Sequence, residues 1–324
     1  MMKKMMLLAV VAMYGCLTAS AQGPFSGRVG TEGCEAIAHN DPAIVAWATG
    51  CTVVRGSQNL SNPEAPLVTF GSDAAATGPA GTSVYTVVSL GDGGSATLTF
   101  EVPIADGPGP DLAVFENSFD DYFLELAFVE VSSDGQRFVR FPATSLTQTE
   151  TQIGGTGQVD ATMINNLAGK YRVGYGTPFD LAELADSAGL DISAVTHVRV
   201  VDAVGSIDPA LGTRDAAGRM VNDPFPTTSY SAGFDLDAVA VLHQATNALR
   251  RVPEVGLRCW PNPCSASLTV SAPEGTEAAL CDMQGRRLVA VGCGGGPVSI
   301  DLSALPAGVY FLRAGGAVRK IVKR

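Results

Sequence analysis

The stretch FLELAFVEVSSDG, residues Phe123–Gly135, decides the fold class of this chain. Its first part, Phe123 to Val131, is nearly all apolar, which is typical of a strand covered on both faces in the middle of a β-sandwich. Ser133-Asp134-Gly135 then predicts a tight turn into a further strand over Phe138–Phe141. The pattern therefore indicates a β-sheet with a second layer packed against it.

Similar short segments bounded by turn residues recur along the chain, and we expect a strand in each. The chain has 37 Gly and 19 Pro and only 16% charged residues, which favours turn-rich β structure because helix interiors tolerate neither Gly nor Pro. One helix is predicted, capped by Thr177, with Pro178 in its first turn and Leu181 and Leu184 on one face. We expect an all-β chain with a jelly-roll-like β-sandwich body. The further strands are predicted over Val84–Leu90, Ala96–Val102, Asp111–Glu116, Val195–Asp202 and Asp235–Leu242, with Gly91–Gly94 as a hairpin turn between the first two.

The N-terminus has the pattern of a secretory signal. Lys3 and Lys4 precede an apolar stretch, and Ala19-Ser20-Ala21 supplies the small residues that signal cleavage requires. We predict a signal peptide over residues 1–21, with lipid modification at Cys16 as the alternative. The apolar stretch is too short for a membrane-spanning helix, which needs about 20 residues. No later stretch is long and apolar enough to span a membrane, so we expect a secreted or outer-surface protein.

Export changes the interpretation of the cysteines, because disulfides form in oxidising compartments. Six cysteines remain after the predicted cleavage. We predict a bond between Cys34 and Cys51, and bonds among the C-terminal four, for which three pairings are possible. The four are Cys259, Cys264, Cys281 and Cys293.

Charge is distributed unevenly along the chain. The net charge is −11, yet the last residues from 257 onward contain more basic than acidic side chains, so the acidity is concentrated in the body. Nucleic-acid binding depends on clustered Lys and Arg, which the body lacks. We therefore expect no nucleic-acid partner.

Several segments in a fixed order mark the C-terminus. Short alternating strands and Gly turns predict a small Ig-like β-sandwich there, followed by a basic tail. The segments are Pro261-Asn262-Pro263, Leu268-Thr269-Val270, Leu280–Arg286, Ile300–Leu312 and Val318–Arg324.

In this order the C-terminal segments closely resemble the sorting domain of type IX secretion cargo in Bacteroidota. The resemblance implies outer-membrane translocation, with residues 256–324 engaging the type IX secretion machinery. It also implies surface attachment or release into the medium. The predicted organisation is a signal peptide at 1–21, a β-sandwich body at 22–246, a linker at 247–255 and a sorting domain at 256–324.

The body also resembles a known group of proteins. Its segments are similar to those of a family of exported bacterial cell-surface proteins with no assigned activity and with jelly-roll-like features. The segments that carry the resemblance are Asp111–Asn117, Ala127–Gly135, Asn166–Lys170, Gly205–Pro209 and Gly233–Val239.

Catalytic motifs are absent from the sequence. It contains no G-x-S-x-G nucleophile elbow, and its three histidines are scattered. Glu116, Glu125 and Glu130 lie close in sequence and are the candidate carboxylates of a glycosidase. Against that interpretation, Glu125 and Glu130 are an odd number of residues apart and so face opposite sides of a regular strand. We expect a non-enzymatic binding protein for a glycan or another surface ligand. The alternative is a secreted glycan-degrading hydrolase, which would show two carboxylates facing one cleft.

Aromatic residues on predicted loops are the candidate ligand contacts. Aromatic rings beside a shallow groove offer flat faces on which a sugar ring can stack. The candidates are Phe119, Tyr122, Phe225 and Tyr230.

Carboxylates at strand ends are the candidate metal ligands. Calcium takes six to eight oxygen ligands from carboxylates and carbonyls, and Gly-rich loops expose carbonyls readily. We expect calcium as the cofactor, bound by Asp106, Asp111, Asp235 and Asp237. An equally weighted interpretation is that these aspartates form turns and cap strands.

Overall fold

The computed structural model describes residues 23–245, 257–294, 296–314 and 317–324. The predicted signal peptide (1–21) and linker (247–255) lie outside the described residues. The described chain falls into two compact units, the body at 23–245 and a C-terminal unit that begins at 257. Each unit is all-β, as the sequence predicts.

Fourteen strands are described in the body, together with three short 3-10 helices at Asp73–Ala76, Ala161–Met163 and Leu181–Leu184. The strands are Ile37–Ala38 (β1), Ala46–Trp47 (β2), Gly50–Val54 (β3), Val88–Ser89 (β4), Ser95–Ile104 (β5), Leu112–Glu116 (β6), Ala127–Ser132 (β7), Val139–Arg140 (β8), Thr144–Ser145 (β9), Ile164–Asn165 (β10), Leu167–Ala168 (β11), Tyr175–Phe179 (β12), Val195–Asp202 (β13) and Asp235–Val241 (β14).

Two antiparallel six-stranded sheets form the body. The first has the order β1-β12-β6-β14-β2, with β4 paired to β14. The second has the order β11-β7-β13-β5-β3, with β8 paired to β7. Strands β9 and β10 form a separate small ladder. The central strands β6, β7 and β14 are buried at every position, as expected for strands covered on both faces.

The core lies between the two sheets. Alternate residues of each central strand point inward and pack together, among them Val114 and Val239 of the first sheet and Val129 and Val200 of the second. All four side chains are at most 1% exposed. Because this layer fixes which residues of β7 and β13 face inward, it also fixes the direction of the acidic residues at the ends of those strands.

Two local predictions are wrong. Thr177 and Pro178 lie in strand β12, where they pair with Val114 and Ala113, and only a 3-10 turn follows, capped by the Asp180 side chain. Cross-strand pairing here overrides the local capping pattern. Gly91–Gly94 is not a hairpin turn, because β4 pairs within the first sheet and β5 within the second. The predicted β7–β8 hairpin does form.

None of the six described cysteines is bonded to another, so the structure does not show the predicted disulfides. Cys34 precedes β1 at an edge of the first sheet, whereas Cys51 lies in β3 at an edge of the second. The two residues therefore belong to different layers of the sandwich. Burial raises the pKa of the Cys51 thiol to about 12, so Cys51 is a protonated thiol at neutral pH.

The C-terminal unit is a small two-sheet sandwich. Its core joins inward residues of both sheets, including Val270 and Ile300 on one side and Leu312 and Ile321 on the other. Its strands are Arg258–Trp260 (β15), Ser267–Ser271 (β16), Glu277–Cys281 (β17), Arg287–Gly292 (β18), Val298–Asp301 (β19), Gly308–Ala314 (β20) and Ala317–Lys323 (β21), with sheet orders β15-β16-β19 and β18-β17-β20-β21.

Candidate ligand cleft and buried acidic cluster

A surface cleft of about 450 Å³ lies between the start of the body and the segments at 121–122 and 158–162. Arg28 and Tyr122 form one side of it, and the Arg28 guanidinium lies 5.5 Å from the centre of the Tyr122 ring. Asp121, Gln158 and Asp160 add polar groups to its lining. The cleft thus combines a flat aromatic face with hydrogen-bonding groups of both kinds.

The Tyr122 ring is held in place by its own turn. The Asp120 carboxylate accepts hydrogen bonds from the amides of Tyr122 (2.8 Å) and Phe123 (2.7 Å), an Asx turn that fixes the loop. The Tyr122 carbonyl accepts from the Val159 amide at 2.8 Å, which joins the two walls of the cleft. The ring itself is 42% exposed, so it is positioned and still accessible.

Both carboxylates of the cleft already have partners. Oδ2 of Asp121 is 3.1 Å from the Arg172 guanidinium and 3.7 Å from that of Arg28. Oδ1 of Asp160 accepts from the amide and hydroxyl of Thr162 at 2.9 and 2.8 Å. Ion pairs thus hold Asp121, and Asp160 caps a 3-10 turn. This is not the arrangement of a general acid and a base on either side of a bond to be cleaved.

The four predicted aromatic residues do not share one site. Tyr122 lines the cleft, whereas Phe119 is exposed outside its lining and stacks on Phe123 at 5.1 Å. Tyr230 is exposed elsewhere and packs edge-on against Phe70. Phe225 is only 4% exposed, so its ring offers no surface to a ligand.

A second feature is a group of buried acidic residues at one end of the sandwich. Asp202 ends β13 and Glu125 stands two residues before β7, and both share the inward parity of their apolar neighbours Val200 and Ala127. Asp92 joins them from the loop between β4 and β5, and Asp223 from the long loop before β14. These four residues line a cavity of about 10 Å³, which has room for one water-sized particle.

Backbone amides hold three of these four carboxylates. Oδ2 of Asp92 accepts from Leu60 N, and Oδ2 of Asp223 accepts from Leu126 N, both at 2.8 Å. The two oxygens of Asp202 accept from Gly93 N and Phe234 N, each at 2.9 Å. These donor amides belong to four separate segments of the chain, so the fold fixes the positions of the carboxylates.

Glu125 differs from the other three. Its side chain is 8% exposed, and within the described residues no donor forms a hydrogen bond or an ion pair with its carboxylate. Burial, together with the charges of Asp235, Glu116, Asp223 and Asp202, raises its pKa well above the ordinary value. A buried carboxylate without a partner is costly in any protein interior.

Burial raises the pKa of every acid in this region. The pKa of Asp202 rises to about 7, and that of Asp223 rises well above its ordinary value, with the charge of Asp202 as the second cause. Burial likewise raises the pKa of Asp92. In the described part of the chain, no Lys, Arg or His forms an ion pair with these four lining residues.

The four aspartates predicted to bind calcium fall into two separate places. In the β6–β14 pair, Leu112 lies opposite Val241 and Glu116 opposite Leu236. Asp111 and Asp235 are therefore at opposite ends of the pair, roughly 15–20 Å apart at about 3.4 Å per residue. The four residues do not form a single site.

At the first place, Asp106 and Asp111 are joined by Asp180, and one oxygen of each lies within 4.8 Å of the others. Asp106 is exposed, while Asp111 is buried and accepts from Gly107 N, Leu181 N and His243 Nδ1 at 2.8–2.9 Å. The Asp111 carboxylate thus accepts hydrogen bonds from two backbone amides and one side chain around the strand end.

At the second place, neither Asp235 nor Asp237 lines the acidic cavity, although the charge of Asp235 acts on Glu125 and Asp202. Asp235 accepts from the Ser89 hydroxyl and from Asn117 Nδ2, and Asp237 accepts from Gly81 N. Burial raises the pKa of each to about 6. A register shift next to Asp237 interrupts the regular alternation of β14.

Of the residues that form the two sites, the sequence predicts only Tyr122 as a ligand contact, and it considers Glu125 only as a glycosidase carboxylate. The signal for the cavity was present in part, since Glu125 and Asp202 occupy inward positions of apolar strands. Asp208 and Asp215, which lie near Asp223 in sequence, do not line the cavity, and their carboxylates accept from the amides of Ala210 and Ala217. The sequence does not predict Arg28 as a site residue, because the segment around it has no clear pattern of apolar and polar residues.

The C-terminal motifs have clear structural roles. Oδ1 of Asn262 accepts from Val322 N at 2.9 Å, and its Nδ2 donates to the Lys320 carbonyl at 2.7 Å. This side chain therefore pairs with β21 in the way a neighbouring strand would. The Tyr310 hydroxyl donates to the Pro306 carbonyl at 2.7 Å, which closes the turn before β20.

Two solved structures show distant similarity to this chain. The chain is similar to a biofilm associated protein BSP domain, with 10% identity, a TM-score of 0.19, and coverage of 85% of this chain and 52% of that chain. It is also similar to a β-glucuronidase from Ruminococcus gnavus in complex with D-glucaro 1,5-lactone, with 11% identity, a TM-score of 0.18, and coverage of 85% and 46%. The chain thus spans about half the length of these proteins. Among curated proteins, no sequence matches it.

No described helix is long and apolar enough to cross a membrane.

Residues 258–324 match the family described as the secretion system C-terminal sorting domain. The order of motifs, the two-sheet sandwich and this match agree. Residues 258–324 are a secretion system C-terminal sorting domain, which supports a type IX secretion cargo protein and implies secretion to the cell surface or the extracellular space.

Proposed function

We propose that the body acts outside the cell as a non-enzymatic binding protein for a glycan, held in the cleft between Arg28 and Tyr122. The observation that carries the proposal is the cleft itself, whose volume of about 450 Å³ is within the range of small-ligand sites. The exposed Tyr122 ring can stack on the apolar face of a sugar ring. Arg28 and Gln158 can donate hydrogen bonds to its hydroxyls, and Asp160 can accept them.

A hydrolytic role is less well supported by the same cleft. A glycosidase needs one carboxyl group to donate a proton and a second to act as base or nucleophile. In the cleft, Asp121 is ion-paired with two arginines and Asp160 caps a 3-10 turn. The cleft therefore favours binding over bond cleavage.

The proposed export route rests on two parts of the chain. The sorting domain provides the signal for outer-membrane translocation. We propose that residues 1–21 provide the signal peptide for the first step, across the inner membrane, because they combine a basic start, an apolar stretch and small residues before the cleavage position.

The test is binding of the purified mature chain to an immobilised panel of defined oligosaccharides. We expect binding by the wild-type chain and its loss in Tyr122→Ala. Tyr85→Ala is the matched control, because Tyr85 is 79% exposed and lies outside the cleft lining. The absence of binding to the whole panel, or equal loss in both variants, would overturn the proposal. Release of new reducing ends from the same panel would show a hydrolase instead.

A further inference from the structure

We infer that the body binds one Ca²⁺ in the cavity lined by Asp92, Glu125, Asp202 and Asp223. The inference concerns a site separate from the ligand cleft, and it does not depend on the identity of the cleft's ligand. It also differs from the set predicted from sequence, none of whose members lines this cavity.

The first step is the composition of the cavity. Four carboxylates from four separate segments meet around a space of about 10 Å³, which fits a single ion and no larger ligand. Together they offer up to eight oxygens, whereas calcium requires six to eight. In the described residues no positively charged side chain is paired with any of them.

The second step is the unpartnered Glu125. Backbone amides donate hydrogen bonds to the other three carboxylates. Glu125 is more than nine-tenths buried and lines the cavity, yet it accepts no hydrogen bond from the described chain. Buried charges in proteins are paired or coordinate metals. A cation in the cavity would give Glu125 the partner that the described protein groups do not.

The third step is the backbone around the cavity, which has glycine at two positions where a side chain would collide with the carboxylates. A Cβ on Gly205 would lie 1.5 Å from Oδ1 of Asp223. A Cβ on Gly233, whose φ is +68°, would lie 2.8 Å from Oδ1 of Asp202. Glycine at these two positions lets both carboxylates take their places beside the cavity.

The size and chemistry of the cavity select the ion. Magnesium keeps several of its waters and requires near-octahedral geometry, whereas this cavity has room for one particle surrounded by fixed carboxylates. Zinc prefers nitrogen and sulfur ligands, and neither His nor Cys lines the cavity. An all-oxygen set on several loops suits calcium.

The experiment titrates Ca²⁺ into the chelator-treated mature chain and follows binding by calorimetry and the melting temperature. We expect one Ca²⁺ per chain and a melting temperature that rises with Ca²⁺ but not with Mg²⁺ at equal ionic strength, because an ion bound only by the folded state stabilises it. Equal shifts with both ions, or no stoichiometric binding, would refute the site.

The variant that tests the location is Glu125→Gln, which keeps the shape of the side chain and removes its charge. We expect calcium affinity to fall at least about tenfold, because loss of even an outer partner of a metal site costs about 10–100-fold. In chelator the variant should melt at or above the wild-type temperature, because a buried unpaired carboxylate has been neutralised. This second measurement separates loss of the site from a failure to fold.

Two controls complete the design. Glu101→Gln makes the same chemical change at an exposed position of β5 and should leave calcium binding unchanged. Asp106→Asn removes a member of the Asp106, Asp111 and Asp180 group and should also leave it unchanged. If Asp106→Asn abolishes the response and Glu125→Gln preserves it, calcium binds at the other strand end and the inference is wrong.

Discussion

The amide nitrogen of Leu126 donates a 2.8 Å hydrogen bond to Oδ2 of Asp223, although 97 residues separate the two in the sequence. This bond ties the long loop before β14 to the start of β7. It places the Asp223 carboxylate beside Glu125, the residue just before Leu126. A single backbone group thus brings together two of the four acids that line the cavity.

Replacing Gly205 should disturb this arrangement directly. In Gly205→Ala the new Cβ would lie 1.5 Å from Oδ1 of Asp223, so the carboxylate must move away from its position. We expect a loss of about 1–3 kcal/mol of unfolding free energy from overpacking. The Ca²⁺-dependent rise in melting temperature should be lost as well. Denaturant unfolding measures the first effect, and thermal unfolding with and without Ca²⁺ measures the second.

Gly154→Ala is the matched control for Gly205→Ala. No atom lies within 4 Å of the position where its Cβ would be, and Gly154 is exposed. We expect a change within about 0.5 kcal/mol, as for most surface substitutions. A similar loss in the two variants would mean that the contact with Asp223 is not the cause.

Glu130 holds three strands together on the outer face of the second sheet. Its Oε1 is 2.7 Å from Nη2 of Arg140 in β8, and its Oε2 accepts from Nε of Arg199 in β13 at 2.6 Å. Glu130→Gln leaves two guanidiniums without their counter-charge. Breaking a fully buried pair costs about 3–5 kcal/mol. Because these arginines are 43% and 35% exposed, we expect a smaller loss of about 1–2 kcal/mol.

Denaturant unfolding of Glu130→Gln measures that loss, and high salt provides the check. If the ion pairs are responsible, the difference between variant and wild type should shrink as salt concentration rises. A salt-independent difference would indicate that packing of the Arg199 guanidinium on Phe138, 3.9 Å away, carries the effect.

An element of the fold or a residue of a site can be predicted from the sequence when the pattern that determines it lies within its own segment. The strand Val195–Asp202 has the predicted bounds because its alternating pattern is contained in its own residues. The helix predicted from Thr177 fails because its residues pair with β6, which is about 60 residues earlier in the chain. Asp92 and Asp223 come from loops, whose positions the sandwich decides and no local pattern reveals.

Lys170 makes stability depend on pH. It is 3% exposed, its Nζ donates to Ser26 Oγ at 2.9 Å, and burial lowers its pKa from 10.5 to about 8. Between pH 8 and 10.5 the unfolded chain holds this proton and the folded chain does not. Stability contributed by Lys170 therefore rises with pH through that window, by at most about 1.4 kcal/mol per pH unit.

The measurement compares the wild type with Lys170→Met by denaturant unfolding from pH 7.5 to 9.5. The comparison is needed because burial raises the pKa of Tyr171 and of Cys51 to about 12. The raised pKa of each of these groups makes stability fall as pH rises at higher pH, opposite to the effect of Lys170. We expect the wild type to gain stability relative to the variant as pH rises. A constant difference across the range would contradict the lowered pKa.

The last prediction concerns the folded state of the sorting domain. Ile321 in the final strand β21 is 0% exposed and packs in the core with Leu312 and Ile300. Ile321→Asp would place an unpaired charge in the core of a unit of fewer than 80 residues, whose small core leaves little stability in reserve. We expect the sorting domain to unfold and the cargo to remain in the periplasm.

Val318→Asp provides the control, because it introduces the same charge into the same strand at a side chain that is 45% exposed. Its sorting domain should stay folded, and the cargo should reach the cell surface or the medium. Fractionation of cells into periplasm, surface and medium, followed by detection of the body, distinguishes the two variants. Retention of both would show that sequence or charge in β21 is recognised rather than the fold. Normal export of Ile321→Asp would show that the machinery does not require this core, since a charge at a fully buried position is incompatible with the sandwich described here.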